Sequence, residues 1–468
     1  MSRTNMSLDC DLTVLEELTS NAKQIQDDVL TKILKANANT EYLGRFLQGS
    51  ADKELFKKNV PVVSYEDLKP YLDRVANGEP SDVISGEPIT AFLVRHFNGY
   101  KQGKVIRFTF IHPTSTTPCG LPLAPTRDEV VSVGAVFASV LVQVIHFLEN
   151  YWKELACNIR CGHVSEWITD LSCRETVTTI LVEPNPELAD LIENECRQES
   201  WQGIVSRLWP KAKCIDAIFT GSMAQYIPAL EFYTNKLPLV SKSYASSEAF
   251  FGLNLEPLSK HVSYTFLPNM SYFEFIDVDG KIVDLVNVKL GHYYEPLVTN
   301  YSGLHRCRVG DVLQVTGFYN MAPQFRFVRR KNTVLSVYAE PTTEEDLLKA
   351  LARATVILES SDLMITGFTC YADISTVPGH YVFYMELRAK ESLNGSYRSF
   401  RRKNGWIGAL EIRVVQQGAF DSLMDFFVCR GSSISQYKTP MCLESAEALK
   451  ILEDKVLARF FSDKSPPI

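Results

Sequence analysis

The sequence has no long run of basic residues and only a small excess of charge of one sign. Its 468 residues include 48 lysines and arginines and 55 aspartates and glutamates, which gives a formal net charge of -7. A protein that binds the phosphate backbone of a nucleic acid usually carries clustered positive charge. The sequence therefore predicts a protein that does not bind nucleic acid.

Signals for secretion and for a disulfide framework are also missing. The opening residues MSRTNMSLDCDLTVLEEL contain no basic segment followed by an apolar core. The 11 cysteines are scattered without a repeated spacing. The stretch CNIRCGH, residues 157–163, lacks a fourth ligand at a zinc-site spacing, which favours ordinary thiols. These features predict a reducing, cytoplasmic compartment.

Long uncharged runs are scarce. The longest, VVSVGAVFASVLVQVIHFL from Val130 to Leu148, approaches the length of a membrane span. Polar residues such as Gln143 and His146 dilute it, and no second span accompanies it. We predict a helix buried inside a large domain, with His146 as a hydrogen-bonded core residue and no membrane partner.

Several common enzyme motifs are absent. The chain has no GxGxxG after a strand, no GxxxxGK[ST], no HExxH and no GxSxG in a suitable context. These absences count against dehydrogenases, P-loop nucleotidases, zinc proteases and α/β-hydrolases. The length predicts two or three domains, and 46% hydrophobic with 22% charged residues is typical of a globular protein.

The chain does contain a strand, a tight turn, a helix and a second strand in close succession, CIDAIFT, Gly221-Ser222, MAQYIPALEFYTN and LPLVS. So short a connection predicts a right-handed crossover between parallel strands. The polar clusters Thr220 to Ser222 and Tyr244 to Glu248 would then lie at carboxyl ends of strands, where open α/β sheets bind ligands. Short hydroxyl residues are also common turn formers, so the residues alone leave both interpretations open.

Beyond residue 262 the pattern predicts a run of strands, with a hairpin turn at Asp279-Gly280. The stretch HRCRVGD, residues 305–311, is either a plain turn or a polar ligand site closed by its arginines and aspartate. Thr342 and Glu345 predict a capping box that opens an α+β lobe. We therefore predict a large domain over 1–335 and a small one over 336–468, joined by a hinge.

Several blocks resemble the Gretchen Hagen family of plant acyl-acid amido synthetases, part of the adenylate-forming superfamily. They extend over most of the chain and include TGSMAQYIPALEFY, YASSEAFFGLNLEPL, VSYTFLPNMSYFEFI, RVGDVLQVTGFYN, FRFVRRKNTVLS, ALEIRVVQQGAFDSLMDFF and QYKTP. The resemblance implies an α/β fold. Its large amino-terminal domain would be of the firefly-luciferase type with mixed sheets and helices, and its smaller α+β carboxyl-terminal lobe would be mobile.

The resemblance also implies ATP-dependent conjugation of an amino acid to a plant acyl acid of the auxin, jasmonate or benzoate type. The acid would attack the α-phosphorus of ATP to give an acyl-adenylate and pyrophosphate. The amine would then displace AMP and form an amide. ATP and Mg2+ are the implied cofactors, a small carboxylic acid and an amino acid are the implied partners, and a monomer is expected.

The roles of individual residues follow from the same resemblance. Glu248 and Lys438 would be catalytic, with Glu248 on the metal or phosphate side and Lys438 reaching the phosphate from the small lobe. Asp311 would accept hydrogen bonds from the ribose hydroxyls. The other implied nucleotide-binding residues are Thr220, Ser222, Tyr244, Ala245, Ser246, Ser247 and Arg308.

One element that the resemblance implies is missing. GEPITAFL, residues 86–93, resembles the approach to the family's phosphate loop, which is rich in serine, threonine and glycine, but VRHFNGYKQGKVIRFTF follows instead. We interpret this as an internal deletion that shortens the large domain around residues 94–128. The alternative hypothesis is a catalytically inactive or truncated family member that binds a small acid, a nucleotide or a partner.

Overall fold

The computed structural model divides the chain into two compact units, each made of two separate stretches. The first contains Met1–Val94 and Lys242–Asn332, and the second contains Arg95–Ser241 and Thr333–Ile468. The division at residue 335 stays a prediction. The structure describes residues 12–89, 110–112, 115–119, 130–166, 174–175, 177–178, 181, 183–331, 334–337, 340–361, 363–375, 379–389, 410–432 and 437–461. The region expected to be shortened, around 94–128, lies mostly outside these residues.

Helices and strands are mixed through the chain, which confirms the α/β class. The helices are α1 (Leu12–Ser20), α2 (Ala22–Asn37), α3 (Glu41–Leu47), α4 (Lys53–Asn59), α5 (Tyr65–Ala76), α6 (Ala138–Cys161), α7 (Pro186–Cys196), α8 (Ile204–Leu208), α9 (Ile227–Thr234), α10 (Glu344–Glu359), α11 (Ala419–Cys429) and α12 (Ala446–Glu453). Short 3-10 helices span Ser81–Val83, Gly221–Tyr226 and Leu285–Asn287.

The strands are β1 (Phe110–His112), β2 (Ser115–Cys119), β3 (Ser132–Phe137), β4 (Cys214–Ile218), β5 (Leu239–Val240), β6 (Ser243–Ala245), β7 (Phe250–Leu253), β8 (Tyr264–Phe266), β9 (Tyr272–Ile276), β10 (Ile282–Asp284), β11 (Tyr293–Thr299), β12 (Cys307–Arg308), β13 (Asp311–Tyr319), β14 (Ala322–Arg330), β15 (Val334–Val337), β16 (Glu340–Thr343), β17 (Leu363–Asp373), β18 (His380–Ala389), β19 (Glu411–Val415) and β20 (Val456–Phe461).

The first unit combines α1 to α5 with a large antiparallel sheet. Its strands are ordered β10, β9, β11, β13, β14, β8, β7 and β6, with β12 paired to β11. This confirms the run of strands beyond residue 262. The turn between β9 and β10 is closed by Asp277, whose amide donates to the Lys281 carbonyl at 2.9 Å, and Gly280 adopts a φ of +81° there. The predicted hairpin turn is therefore confirmed.

Aromatic side chains fill the core on one face of this sheet. The ring centroids of Phe266 and Phe325 are 4.6 Å apart, and Phe275 stacks on Phe325 at 4.9 Å. Tyr244 of β6 stacks on Phe251 of β7 at 4.6 Å. Because each such ring buries a large apolar area, the cluster fixes the position of β6 and of the Tyr244 hydroxyl.

The second unit contains a parallel sheet of β3, β4 and β5. Strand β4 pairs with β5 in parallel, with Ile215 opposite Leu239, which confirms the predicted parallel pairing of these two strands. The prediction for the second polar cluster is wrong for Tyr244 and Ala245. These two residues lie in β6 of the antiparallel sheet, because the chain leaves the parallel sheet after β5 and pairs with β7 instead.

The prediction of one helix over the uncharged run from Val130 to Leu148 is wrong for the first part of that run. Its first part forms β3, where Gly134 packs so tightly on β4 that a Cβ atom would lie 2.1 Å from the Asp216 carbonyl oxygen. Helix α6 begins only at Ala138. In the part of the chain that the structure describes, no helix has the length and apolarity needed to cross a membrane.

His146 lies half-buried on α6 and is not fully hydrogen-bonded, so the prediction of a hydrogen-bonded core residue is wrong. Its Nε2 atom has no hydrogen-bond partner among the described residues, and its ring packs edge-on to Tyr233 at 6.1 Å. Burial, with a smaller contribution from the charge of Arg388, lowers the pKa of His146 to about 4. The histidine is therefore neutral at physiological pH.

The carboxyl-terminal part of the second unit is an α+β arrangement. Its sheet has the order β17, β18, β19, β20, in which only the β18–β19 pair is parallel. Helix α10 does begin with a capping box, but one residue later than predicted. Thr343 and Asp346 form it rather than Thr342 and Glu345, because the β15–β16 ladder extends through Thr343 and the helix begins only at Glu344.

Candidate active site

The expected site residues form two groups, one in each unit. The first unit holds one group, which comprises residues of β6 and the turn after it together with residues of β12 and β13, namely Tyr244, Ala245, Ser246, Ser247, Glu248, Arg308 and Asp311. The second unit holds Thr220, Ser222 and Lys438.

Asp311 and Tyr244 meet at the core of the first group. The Tyr244 hydroxyl donates a hydrogen bond of 2.5 Å to Asp311 Oδ2, and the guanidinium of Arg330 lies 2.9 Å from Asp311 Oδ1. Asp311 is only 1% exposed. Burial, followed by the charge of Asp311, raises the pKa of Tyr244 well above 10, so Tyr244 remains a hydrogen-bond donor at physiological pH.

The β13–β14 hairpin brings Arg330 to Asp311. The two residues are direct partners in the ladder, and Asn320 in the tight turn adopts a φ of +52°. Residues at equal distances from such a turn lie opposite each other. Sequence reasoning missed Arg330, although counting outward from the turn in GFYNMAPQ pairs it with Asp311.

The serines after β6 form the turn into β7. The Ser246 amide donates to the Ala249 carbonyl at 2.9 Å, and the Ser246 hydroxyl accepts from the Glu248 amide at 3.2 Å. The Glu248 carbonyl accepts from Asn300 Nδ2 at 2.9 Å. These contacts support the turn-forming interpretation of the hydroxyls. They also hold the backbone of Glu248 while its carboxylate remains half-exposed.

The arginines of HRCRVGD have different surroundings. Arg306 is buried, and its guanidinium donates to both carboxylate oxygens of Glu274, at 2.9 and 3.0 Å. Arg306 therefore holds the fold together, and its interpretation as a ligand-site residue is wrong. Arg308 is half-exposed and shares the buried carboxylate of Glu295 with Lys331, at 2.9 and 2.8 Å. Two cations on one carboxylate leave net positive charge beside Asp311.

In the second unit, Thr220 and Ser222 lie where β4 ends and the 3-10 helix Gly221–Tyr226 begins. Gly221 adopts a φ of +61°, a conformation that glycine accepts without strain. The Tyr226 hydroxyl at the other end of this helix lies 2.8 Å from Thr439 Oγ1. The structure therefore brings the predicted turn and the segment that carries Lys438 together.

Two further contacts hold that segment on the start of α6. The Ser139 hydroxyl donates to the Tyr437 carbonyl at 3.1 Å, and the ammonium group of Lys438 lies 4.3 Å from the centre of the Phe137 ring. The ring face favours the cation and limits where the ammonium group can lie. Sequence reasoning missed Phe137, Ser139 and Tyr226, because nothing in their spacing indicates a contact with a segment some 200 to 300 residues away.

Replacing Tyr226 by phenylalanine is expected to loosen the Lys438 segment. The change leaves the buried Thr439 hydroxyl without this partner, which costs about 1 kcal/mol of stability. A double-mutant cycle with Thr439→Val, measured by urea-induced unfolding, should give a coupling energy between Tyr226 and Thr439 of about 0.5–1.5 kcal/mol. Additive effects of the two changes would show that the contact contributes nothing.

Sequence patterns of three domains match this chain. The GH3 family N-terminal domain matches residues 11–94 and 125–239, the GH3 family central domain matches 264–330, and the GH3 family C-terminal domain matches 345–447. The chain belongs to the GH3 family. GH3 is the Gretchen Hagen family that the sequence predicted, so that prediction is confirmed.

Curated relatives of this GH3 chain match it along almost their whole length. It is 48% identical to the 4-substituted benzoates-glutamate ligase GH3.12 of Arabidopsis thaliana over 560 aligned positions, which cover 96% of this chain and 97% of that protein. It is 45% identical to the indole-3-acetic acid-amido synthetase GH3.15 of the same plant, with 97% of this chain and 96% of that protein covered.

Solved structures agree with the fold. The GH3.15 acyl acid amido synthetase structure has a TM-score of 0.87 and 46% sequence identity to this GH3 chain, with 100% of both chains covered. A complex of the Arabidopsis GH3.15 enzyme with 2,4-DB has a TM-score of 0.86 and 45% identity, with 97% of both chains covered. The α/β fold predicted from the family resemblance is thus confirmed.

Proposed function

We propose that this chain is an acyl-acid amido synthetase that uses ATP to join an amino acid to a small carboxylic acid. The observation that carries the proposal is the buried pair of Tyr244 and Asp311 with the half-exposed Arg330, which lies beside the half-exposed Glu248 and Arg308. Family membership supports the same reaction, since relatives at 48% and 45% identity are named as amino-acid ligases of benzoates and of indole-3-acetic acid.

The nucleotide is assigned to the first group of residues. Asp311 would accept hydrogen bonds from the ribose hydroxyls. Because Tyr244 and Arg330 already contact its two oxygens, Arg330 would have to turn toward solvent when the nucleotide binds. Arg330 has about one third of its side chain exposed, so that movement costs little burial. Its positive charge would then be available to the phosphate groups.

The acyl-adenylate is assigned to the turn at Thr220 and Ser222, with the backbone and serines of residues 244–247 facing the nucleotide. Lys438 would bind the phosphate, since an ammonium group stabilises the negative charge that develops during phosphoryl chemistry. The ring of Phe137 holds that ammonium group at 4.3 Å in the present arrangement. Leaving the ring for a phosphate exchanges a weak attraction for a stronger one.

The residues present suit Mg2+ at Glu248. The carboxylate is half-exposed, its backbone is fixed by Ser246 and Asn300, and Mg2+ prefers one or two carboxylates together with substrate phosphates. When bound, the ion would neutralise phosphate charge. The Ser247 hydroxyl donates a hydrogen bond of 3.0 Å to one carboxylate oxygen of Glu248, which fixes the orientation of that carboxylate.

A catalytically inactive or truncated relative remains the second candidate, and a specific observation favours it. The match to the family's N-terminal domain stops at residue 94 and resumes at 125, so residues 95–124, where the phosphate loop is expected, do not match that domain. The alignment with GH3.12 extends over 560 positions although this chain has 468 residues, so it contains gaps in this chain. Both observations support an internal deletion.

Detection of an amide product tests the proposal. The full chain would be incubated with ATP, Mg2+, the common amino acids and a set of acids that includes substituted benzoates, indole-acetate and jasmonate. Mass spectrometry should find an acyl-amino-acid amide and AMP in equal amounts. Hydrolysis of ATP without an amide would contradict the proposal.

A cytoplasmic location and a monomeric state are proposed together with the synthetase activity.

Lys438→Ala is expected to lower the rate of adenylation by about 10- to 100-fold, which corresponds to the loss of one hydrogen bond to a charged group. The chain offers Lys349 as a matched control, an exposed lysine on α10 that pairs with Glu345 at 2.8 Å. The measurement is the initial rate of acid-dependent pyrophosphate release with a saturating acid. Equal rates for the two variants would show that Lys438 does not take part in adenylation.

A further inference from the structure

Two cysteine thiols face each other in the second unit. Cys370 lies in β17, and Cys442 follows Lys438 on the segment that joins α11 to α12. Their sulfur atoms are 3.8 Å apart. The Cys370 amide donates to the Met441 carbonyl at 3.0 Å, and the Leu443 amide donates to the Cys370 carbonyl at 2.8 Å. The backbone therefore holds the two thiols together from both sides.

This arrangement meets the main geometric requirement for a disulfide. Cys370 and Cys442 are bridge partners in a parallel backbone pairing. Neighbouring strands lie about 4.7–4.9 Å apart, and the Cα atoms of a disulfide usually lie about 4.4–6.8 Å apart. The sulfurs need to approach by about 1.8 Å to reach bonding distance. Side-chain rotation provides a movement of that size without separation of the backbones.

We propose that Cys370 and Cys442 form an oxidation site at which a hydroperoxide converts the two thiols into a disulfide. Cys370 is fully buried, whereas Cys442 is partly exposed. The peroxide therefore meets Cys442 first, and Cys370 is the resolving thiol. Disulfides in reducing compartments are usually transient and redox-sensing, which suits a pair of reduced thiols held in contact.

The chemistry balances with one molecule of hydrogen peroxide. The Cys442 sulfur attacks a peroxide oxygen, so an S–O bond forms, the O–O bond breaks, and the other oxygen leaves as water. The Cys370 sulfur then attacks the sulfur of the sulfenic acid, so an S–S bond forms and the S–O bond breaks. The hydroxide leaves as water with the Cys370 proton. Two electrons pass from the two sulfurs to the peroxide.

The second step begins from a thiol that is mostly protonated. Burial raises the pKa of Cys370 well above its usual value, and the Cys370 thiol donates to the Met441 carbonyl at 3.0 Å. Both effects keep Cys370 protonated. The 3.8 Å separation of the two sulfur atoms favours disulfide formation, because the resolving thiol already lies beside the sulfur that it attacks.

The disulfide would tie the segment from Tyr437 to Leu443 covalently to β17. Lys438 lies four residues before Cys442, so its range of positions would shrink. Oxidation would then reversibly slow any step that needs Lys438 to move, a consequence that rests on the proposed function. The formation of the bond itself does not depend on the proposed function.

Peptide mapping tests the site on the full chain. The protein is treated with a few equivalents of hydrogen peroxide, unfolded in N-ethylmaleimide and digested with trypsin without reductant. Cys370 is the only cysteine between Arg353 and Arg388, and Cys442 is the only one between Lys438 and Lys450. The expected product is these two tryptic peptides, 354–388 and 439–450, joined with the loss of two hydrogens and separated again by dithiothreitol.

The exposed pair Cys157 and Cys161 on α6 serves as an internal control for general oxidation. In a Cys370→Ser variant, Cys442 is expected to continue to sulfinic acid because its resolving thiol is gone. The proposal is overturned if wild-type Cys442 also reaches sulfinic acid while Cys370 is still alkylated. It is equally overturned if both thiols stay reduced at a peroxide dose that oxidises Cys157. Neither outcome depends on whether the chain forms an amide.

Discussion

Arg306→Ala is expected to lower the free energy of unfolding of the first unit by about 3–5 kcal/mol. Arg306 is 6% exposed, and its guanidinium contacts both oxygens of Glu274, which is 2% exposed. It also donates to the carbonyls of Lys57 and Val60 at 2.9 Å. The substitution leaves a buried carboxylate and two carbonyl groups without their partner.

The size of the effect comes from the charge that stays behind. Burial raises the pKa of Glu274, and the charge of Arg306 opposes that rise. Without Arg306 the carboxylate must take up a proton or remain charged in an apolar core. A double variant, Arg306→Met with Glu274→Leu, should therefore be considerably more stable than Arg306→Ala, because both charges are removed together.

Hydrogen exchange followed by mass spectrometry measures this effect in the right place, since peptides from β9 and α4 report opening of the first unit. Lys69→Ala is the matched control, because Lys69 forms an exposed pair with Asp73 on α5, and an exposed ion pair contributes little to stability. If Arg306→Ala and Lys69→Ala change the exchange of β9 equally, the structural role given to Arg306 is wrong.

The first unit is also expected to lose stability steeply below pH 6.5, by about 4–5 kcal/mol in total, because of His305. This histidine is fully buried, and its ring stacks on Tyr42 at 6.0 Å. Burial lowers the pKa of His305 to about 3, although the backbone of Ile84 opposes that shift. Between pH 6.5 and 3 the unfolded chain therefore binds a proton that the folded chain does not.

The sign follows from that difference. Stability rises with pH wherever the unfolded state binds more protons, so the contribution is complete above pH 6.5 and is lost as the pH falls toward 3. The expected slope is about 1.4 kcal/mol per pH unit. His305→Phe keeps an aromatic ring against Tyr42 and removes the proton site, so most of this slope should disappear.

Urea-induced unfolding between pH 7 and pH 4.5 provides the measurement. His261→Gln is the control, because His261 is exposed and belongs to the same unit. An unchanged pH dependence in His305→Phe, relative to wild type and His261→Gln, would contradict the account. His146 should add a similar slope over a narrower pH range in the second unit, since its pKa is lowered to about 4.

Local signals in the sequence account for much of the fold. The hairpin at Asp279-Gly280, the parallel pairing of β4 with β5 and the strands beyond residue 262 all follow from turn residues and hydrophobic spacing. The failures have local causes as well. The run from Val130 to Leu148 has the composition of one buried helix, and only the pairing of β3 with β4 separates its strand from its helix.

The candidate site was less accessible to sequence reasoning. Family resemblance singled out Asp311 and Tyr244, and the structure adds that they contact each other through a register set by two antiparallel sheet pairings. The contacts of Lys438 with Phe137 and of Thr439 with Tyr226 join residues about 200 to 300 positions apart. Tertiary packing alone determines such pairs, so no local pattern predicts them.

ATP–pyrophosphate exchange is the measurement that tests the central claim most directly, because it isolates formation of the acyl-adenylate. The account predicts exchange that depends on the added acid in the presence of Mg2+, and that falls at least tenfold in Glu248→Ala. Folded wild-type protein that exchanges no pyrophosphate with any acid, and that binds no ATP, would contradict the synthetase and favour the inactive relative.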